Sequence, residues 1–156
     1  MEIERKFIVS NDRWRAAVES SRLIVQAYIA LDKDTSVRVR ISDDIDARLT
    51  VKMGAVDITR HEFEYPIPIA DAQALVEANR DRSIDKRRHL IPMGGFVWEV
   101  DVFAGSLEGL VVAEVELGSE NDDPPLPGWL GREVTGDAEW SNAALATTGR
   151  PADIRP

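Results

Sequence analysis

The sequence predicts a mainly β chain of about eight antiparallel strands in meander order, with a few short helices. Three observations predict it. Short segments alternate strictly between apolar and charged side chains, as half-buried strands do. Turn signals separate them, among them Asp32-Lys33-Asp34, Asp43-Asp44 and Gly94-Gly95. On strand after strand the charged face carries a like-charged pair at i, i+2.

The first strand is Glu2-Ile3-Glu4-Arg5-Lys6-Phe7, which turns Glu2, Glu4 and Lys6 to one face and Ile3 and Phe7 to the other. Ser10-Asn11-Asp12 supplies cap residues for a short helix carrying Trp14, Ala17 and Val18. Leu23 to Leu31 reads as a strand containing Gln26 and Tyr28. Val37-Arg38-Val39-Arg40-Ile41 is strict alternation, with both arginines on one face. Arg48 to Met53 alternates again and ends at Gly54. Arg60 to Tyr65 sets Glu62 and Glu64 opposite Phe63 and Tyr65, and Pro66 and Pro68 stop it.

Asp71 to Asn79 has helical spacing through Ala72, Leu75 and Val76. A strand opens at Ile84-Asp85-Lys86-Arg87-Arg88, and Gly94-Gly95 turns it into Val97 to Val102, with Glu99 and Asp101 on one face. Val111 to Leu117 repeats the theme with Glu114 and Glu116. A proline-rich loop, Asn121 to Gly128, leads to a terminal helix expected over Asp137 to Ala146.

The 156 residues are expected to form one domain, 1–156, since 44% hydrophobic and 30% charged residues are globular values. There are no cysteines, which removes disulfides, thiolate metal sites and cysteine nucleophiles. No apolar run approaches the roughly 20 residues of a membrane helix. The charged N-terminus lacks the apolar segment of a secretion signal, so a cytoplasmic location is expected. A net charge of −9 opposes binding nucleic acid over a broad surface but leaves room for a small anion in a local basic cavity.

A mixed-charge sheet face is ordinarily just solvated. Here acids pair with acids: Glu2 with Glu4, Glu62 with Glu64, Glu99 with Asp101, Glu114 with Glu116. The bases are Lys6, Arg38 with Arg40, Lys52, and Lys86 with Arg88. Like charges about 7 Å apart repel by roughly 2 kcal/mol at an effective dielectric near 20, a cost a solvent face has no reason to carry. Arginine forks bind phosphate oxygens, and clustered carboxylates bind Mg²⁺ or Mn²⁺. A closed antiparallel barrel with its charges inward gathers all these groups around one cavity. Its apolar outer face is then covered by helices, with room for a partner subunit in a homodimer. His61 and His89 lack metal-ligand spacing, and no phosphate loop or serine triad is present.

With those residues assembled, the chain resembles the CYTH family, the triphosphate tunnel metalloenzymes. The family signature E-x-E-x-K is Glu2-Ile3-Glu4-Arg5-Lys6. The later blocks follow in order: Arg38-x-Arg40, Lys52, Glu62-x-Glu64, Lys86-x-Arg88, Glu99-x-Asp101 before Phe103-Ala104-Gly105, Glu114-x-Glu116, then Glu133-Val134-Thr135 and Asn142. The resemblance implies an eight-stranded antiparallel closed tunnel that binds a triphosphate with divalent metal, a pair of Mg²⁺ or Mn²⁺ ions. The compact form with Tyr28 looks most like the small bacterial inorganic triphosphatases. Hydrolysis of inorganic triphosphate is therefore the expected activity. The alternatives are a class IV-type adenylyl cyclase, a thiamine or nucleoside triphosphatase, or a non-catalytic polyphosphate-binding module.

By the same resemblance, Lys6, Arg38, Arg40, Lys52 and Arg88 would hold phosphate oxygens. Glu2, Glu4, Glu62, Glu64, Glu114 and Glu116 would hold metal, and Lys86 would accept a proton with Tyr28 beside it. Glu99 and Asp101 would either join the metal set or orient basic residues. Trp140 stands where similar proteins carry tyrosine, and it is expected to alter how the terminal helix closes one tunnel mouth.

Overall fold

The structure is a computed structural model that describes residues 2–54 and 59–156. The strands are β1 (Glu2–Val9), β2 (Ser20–Leu31), β3 (Thr35–Ser42), β4 (Asp46–Met53), β5 (Thr59–Pro66), β6 (Ser83–Met93), β7 (Phe96–Phe103), β8 (Val111–Glu116) and β9 (Leu130–Glu133). The helices are α1 (Ile69–Ala78) and α2 (Asn142–Thr147), with short 3-10 turns at Arg13–Ala17, Arg80–Arg82, Gly105–Leu107 and Ala138–Trp140.

The strand order is β5-β4-β3-β2-β6-β7-β8-β1-β9, with a further pairing of β5 to β1. That corrects the expected meander. Two hairpin runs, β2 to β5 and β6 to β8, are joined by α1, which packs Ala72 and Val76 against Ala27, Val39, Ile41 and Ala47 outside the first run. Crossing that face brings β6 to the free edge of β2, and β1 then fills the gap after β8.

The expected closed barrel also needs a correction. Among the described residues β1 meets β5 only at Glu2↔Arg60 and Ile3↔Thr59. Beyond that point the free edge of β1 is taken by a later segment, which includes the unforeseen β9. Lys6 N donates to Thr135 Oγ1 at 2.9 Å, Val134 N donates to the Lys6 carbonyl at 2.8 Å, and Phe7 pairs with Glu133. The seam is instead bridged by a side-chain ion pair, Lys52 Nζ to Glu2 Oε1 at 2.9 Å.

Two turns behave as their residues require. Asp43 and Asp44 both have positive φ (52° and 59°), and Ile45 N donates to the Ser42 carbonyl, which is a type I′ geometry. Gly94 and Gly95 have φ of 59° and 82°, and a Cβ on Gly94 would lie 2.7 Å from Pro125 Cγ. Neither position suits a branched side chain.

The terminal helix is shorter than expected. Ser141 is extended (φ −64°, ψ 148°) and its Oγ accepts from Ala144 N at 3.1 Å, capping α2. Serine is a better cap than helix interior, so the chain breaks there into a 3-10 turn and a short helix.

Apolar groups pack on both sides of the sheet. Outside, Phe7, Trp98, Val100 and Val115 are covered by Trp14 and Trp129. On the inward face one end is apolar: Ile8, Ile84, Phe103 and Val112 pack with Leu107, Leu110, Val134, Trp140 and Leu145. The same face of β1, β6, β7 and β8 is thus a plug at one end and charged at the other.

Candidate active site

Alternation positions the charged residues. Glu2, Glu4, Arg38, Arg40, Lys52, Glu62, Glu64, Arg88, Glu99, Glu114 and Glu116 all line one cavity of about 240 Å³. A second cavity of about 190 Å³ is lined by Lys6 and Tyr28 and shares Glu2, Glu4, Lys52 and Asn142 with the first. Asp101 and Lys86 are buried rather than lining either one.

The bases fall into two kinds. Lys6, Lys52, Lys86 and Arg88 each have an acid partner: Lys6 with Glu114 at 3.3 Å, Lys52 with Glu2, Lys86 with Asp101 at 2.7 Å, and Arg88 with Asp101 and Glu99, both at 2.8 Å. Lys6 Nζ also donates to the Trp140 carbonyl at 2.9 Å. Arg38 and Arg40 make no ion pair among the described residues. Arg40 Nε donates to Gln26 Oε1 at 2.9 Å, and the buried Nε of Arg38 has no partner among the described residues. Burial, with Arg38 and Arg88 close by, pushes the Arg40 guanidinium down to about 9. Two guanidiniums in one cavity wall, neither in an ion pair among the described residues, suit an anionic ligand.

Across from them the acids crowd one another. In the β1–β8 ladder Glu4 faces Glu116 and Lys6 faces Glu114. Glu114, chiefly, and burial push the Glu4 carboxyl up to about 8. Burial, then Glu2, raises Glu62 to about 7. At Glu114 burial favours the neutral acid, but Lys6, Arg88 and Lys86 outweigh it and hold the group well below its ordinary value. Among the described residues no three acids or histidines already converge as a ready coordination shell. The donor set nevertheless fits a hard divalent cation: every donor is a carboxylate oxygen, and negative neighbours together with burial raise Glu4 and Glu62.

This charge balance has a pH consequence. In the folded chain Glu4 holds its proton up to about pH 8, whereas its ordinary value is 4.5. The folded state therefore binds more protons in that window, so this contribution to stability is full below pH 4.5 and lost as pH rises toward 8. In EDTA, the difference in melting temperature between Glu4→Gln and the unaltered protein is expected to move in the variant's favour between pH 5 and 8. Mg²⁺ or Mn²⁺ should raise the unaltered protein's melting temperature more at pH 8 than at pH 5.5, because the cation replaces protons there. A metal effect no larger than that of matched monovalent salt would exclude a carboxylate site.

Lys86, Asp101 and Arg88 form the most buried ionic cluster. Asp101 Oδ2 accepts from Lys86 Nζ and from Arg88 Nη2 (2.8 Å), and Oδ1 accepts from Arg88 Nε (2.8 Å). Burial pushes the Lys86 ammonium down to about 7; Asp101 opposes the shift, and Arg88 and Arg40 add to it. Asp101 itself stays ionised below its ordinary value, since Lys86 and Arg88 outweigh its burial. The expected neighbour of Lys86 was Tyr28. In the β2–β6 register, however, Lys86 faces Ile24, four residues before Tyr28, and its hydrogen-bond partner is Asp101.

The site includes residues that sequence reasoning did not select. Arg22 and Asn142 line the main cavity, and Gln26 supports Arg40. Arg22 shares the face of Ile24, Gln26 and Tyr28, and it is missed when β2 is started at Leu23 instead of Ser20. His61 is exposed, while His89 packs on Trp14 with rings 4.9 Å apart and shares a hydrogen bond with Ser21 Oγ (2.6 Å).

Known proteins resemble this chain in sequence and in fold. The CYTH domain family model matches residues 1–142. An inorganic triphosphatase of Acetivibrio thermocellus is 46% identical over 145 residues, covering 92% of each chain. One of Nitrosomonas europaea is 33% identical over 150 residues, covering 93% of this chain and 96% of that one. A crystal structure of an inorganic triphosphatase superposes with a TM-score of 0.68 at 32% identity, covering 94% of this chain and 95% of the other.

Proposed function

The chain belongs to the CYTH domain family, and from that premise we propose that it hydrolyses inorganic triphosphate in this tunnel with the help of a divalent cation. The observation that carries the reading is the pair Arg38 and Arg40, buried or half-buried in the cavity wall with no ion-pair partner among the described residues, in the same cavity as acids whose proton affinity is raised. A small polyanion accompanied by a dication is the ligand that satisfies both halves at once.

In this reading Arg38 and Arg40 are the principal holders of phosphate oxygens, and Lys6, Lys52 and Arg88 share their charge between acids and substrate. Glu2, Glu4, Glu62, Glu64, Glu114 and Glu116 are the acids that would hold the cation, Mg²⁺ or Mn²⁺. When bound, such an ion neutralises phosphate charge and acidifies an attacking water. The arginines stabilise the charge that develops on the transferred and leaving phosphates. Lys86, near neutrality in its pKa, is retained as the proton acceptor, with Asp101 rather than Tyr28 as the group beside it. Asp101 orients Lys86 and Arg88, which is the second of the two roles expected for it.

The test is phosphate release from inorganic triphosphate, ATP and thiamine triphosphate side by side, with Mg²⁺ and with Mn²⁺, and with cyclic AMP assayed in the same reactions. Inorganic triphosphate should give the highest kcat/KM, and EDTA should abolish release. A higher kcat/KM on ATP or thiamine triphosphate, or production of cyclic AMP, would replace this reading with the corresponding organic substrate.

A further inference from the structure

Gln26 lies on β2 opposite Arg40, and its side chain is fully buried at 0% exposure. Arg40 Nε donates to Gln26 Oε1 at 2.9 Å. A guanidinium offers only donors, so the amide must present its oxygen to Arg40 and turn its NH₂ elsewhere. That buried NH₂ has no partner among the described residues, and neither does the Nε of Arg38, the next arginine on β3. Arg38 and Arg88 both act on Arg40 as like charges, and Asp101 opposes them with a smaller attraction.

A carboxylate is the stronger acceptor for a buried guanidinium. This chain uses one on Lys6, Lys52, Lys86 and Arg88: Asp101 and Glu99 on Arg88, Asp101 on Lys86, Glu114 on Lys6 and Glu2 on Lys52. Among the described tunnel cations that have a side-chain partner, only Arg40 has a neutral amide, of the same length as glutamate. We propose that Gln26 is a positioning residue for phosphate binding. It fixes the Arg40 guanidinium through a neutral acceptor, so that Arg40 is oriented while it and Arg38 keep their charge for anionic oxygens of the substrate. This inference rests on the triphosphatase reading of the tunnel. Stability and affinity are thereby opposed at this position, because an acid there would settle the cations and repel the ligand.

Gln26→Glu and Gln26→Met, both close to isosteric with glutamine, separate charge from orientation. The experiment measures steady-state kinetics on inorganic triphosphate with Mg²⁺ and the melting temperature without ligand. Gln26→Glu should raise KM at least 100-fold, with a smaller change in kcat, and raise the melting temperature. Gln26→Met should raise KM about tenfold and lower the melting temperature, since Arg40 Nε loses its acceptor. A purely structural glutamine would give the opposite pairing, with melting temperature and affinity falling together in both variants. KM within threefold of the unaltered protein in either variant overturns the inference, as does equal KM in the two. If Gln26→Glu fails to fold, an acid does not settle these cations and the inference is likewise overturned. Absence of turnover in the unaltered protein overturns the triphosphatase reading and this role with it, whereas turnover with unchanged variants overturns this role alone.

Discussion

Asp101→Asn should cost about 3–5 kcal/mol of stability, the range for breaking one partner out of a buried ionic cluster. For a chain of this length that corresponds to a melting temperature lower by about 6–20 °C. The size follows from the partners left behind. Lys86 and Arg88 are buried, and three hydrogen bonds from them converge on this one carboxylate. Asn keeps the shape and part of the hydrogen bonding but removes the charge. Glu99→Gln, which takes a partly exposed acid from the same Arg88, should cost far less.

The pH dependence identifies Lys86 as one of the stranded groups. Asp101 works to keep the ammonium charged, so its loss drives Lys86 further below about 7. The variant's folded state then sheds that proton below pH 7 while the unfolded chain keeps it. Unfolded molecules hold more protons in that window, so the variant regains stability as pH rises from 6 toward 7. The deficit relative to the unaltered protein should therefore shrink over that interval. A constant deficit would mean that Arg88 alone depends on Asp101, and a loss under 2 °C would mean that the cluster is not coupled at all.

The second large effect is a split between Arg40→Ala and Glu4→Gln. Losing a charge-assisted hydrogen bond to phosphate costs about 1.5–3 kcal/mol, so Arg40→Ala should raise KM for inorganic triphosphate about 10- to 150-fold. Added metal should not restore it. Its melting temperature should hold or rise, because the variant removes a cation disfavoured by burial and by the like charges of Arg38 and Arg88. Glu4→Gln should instead raise the Mg²⁺ concentration needed for half-maximal rate and depress kcat at limiting metal, leaving KM at saturating metal near its original value. Kinetics across a Mg²⁺ series separates the two. Wild-type metal dependence in Glu4→Gln together with wild-type KM in Arg40→Ala would reverse the assignments of both residues.

Much of this was present in one dimension. Period-two alternation is local, so Glu2 and Glu4, Arg38 and Arg40, Glu62 and Glu64, and Glu114 and Glu116 could be placed on common faces without knowing which strands pair. The turns at Asp43-Asp44 and Gly94-Gly95 were legible for the same reason, since positive φ is a property of a few residues and their neighbours. The like-charged pairs announced an inward charged face because no solvent face needs that repulsion.

What only the tertiary structure decided is which opposite charges meet. Alternation gives a residue its face but not its height in the tunnel or its neighbour across the seam, because those depend on registers between strands far apart in sequence. Hence Asp101, read as either a metal ligand or an orienting group, is the hub beneath Lys86 and Arg88. Tyr28, expected at Lys86, lines the other cavity beside Lys6. Gln26 carried no charge to mark it, and its meaning comes wholly from standing opposite Arg40 in the β2–β3 ladder. The partial seam between β1 and β5 was equally invisible, since it follows from the 130–135 segment competing for the same edge of β1. Faces are fixed by chain geometry, whereas partners are fixed by packing the whole sheet.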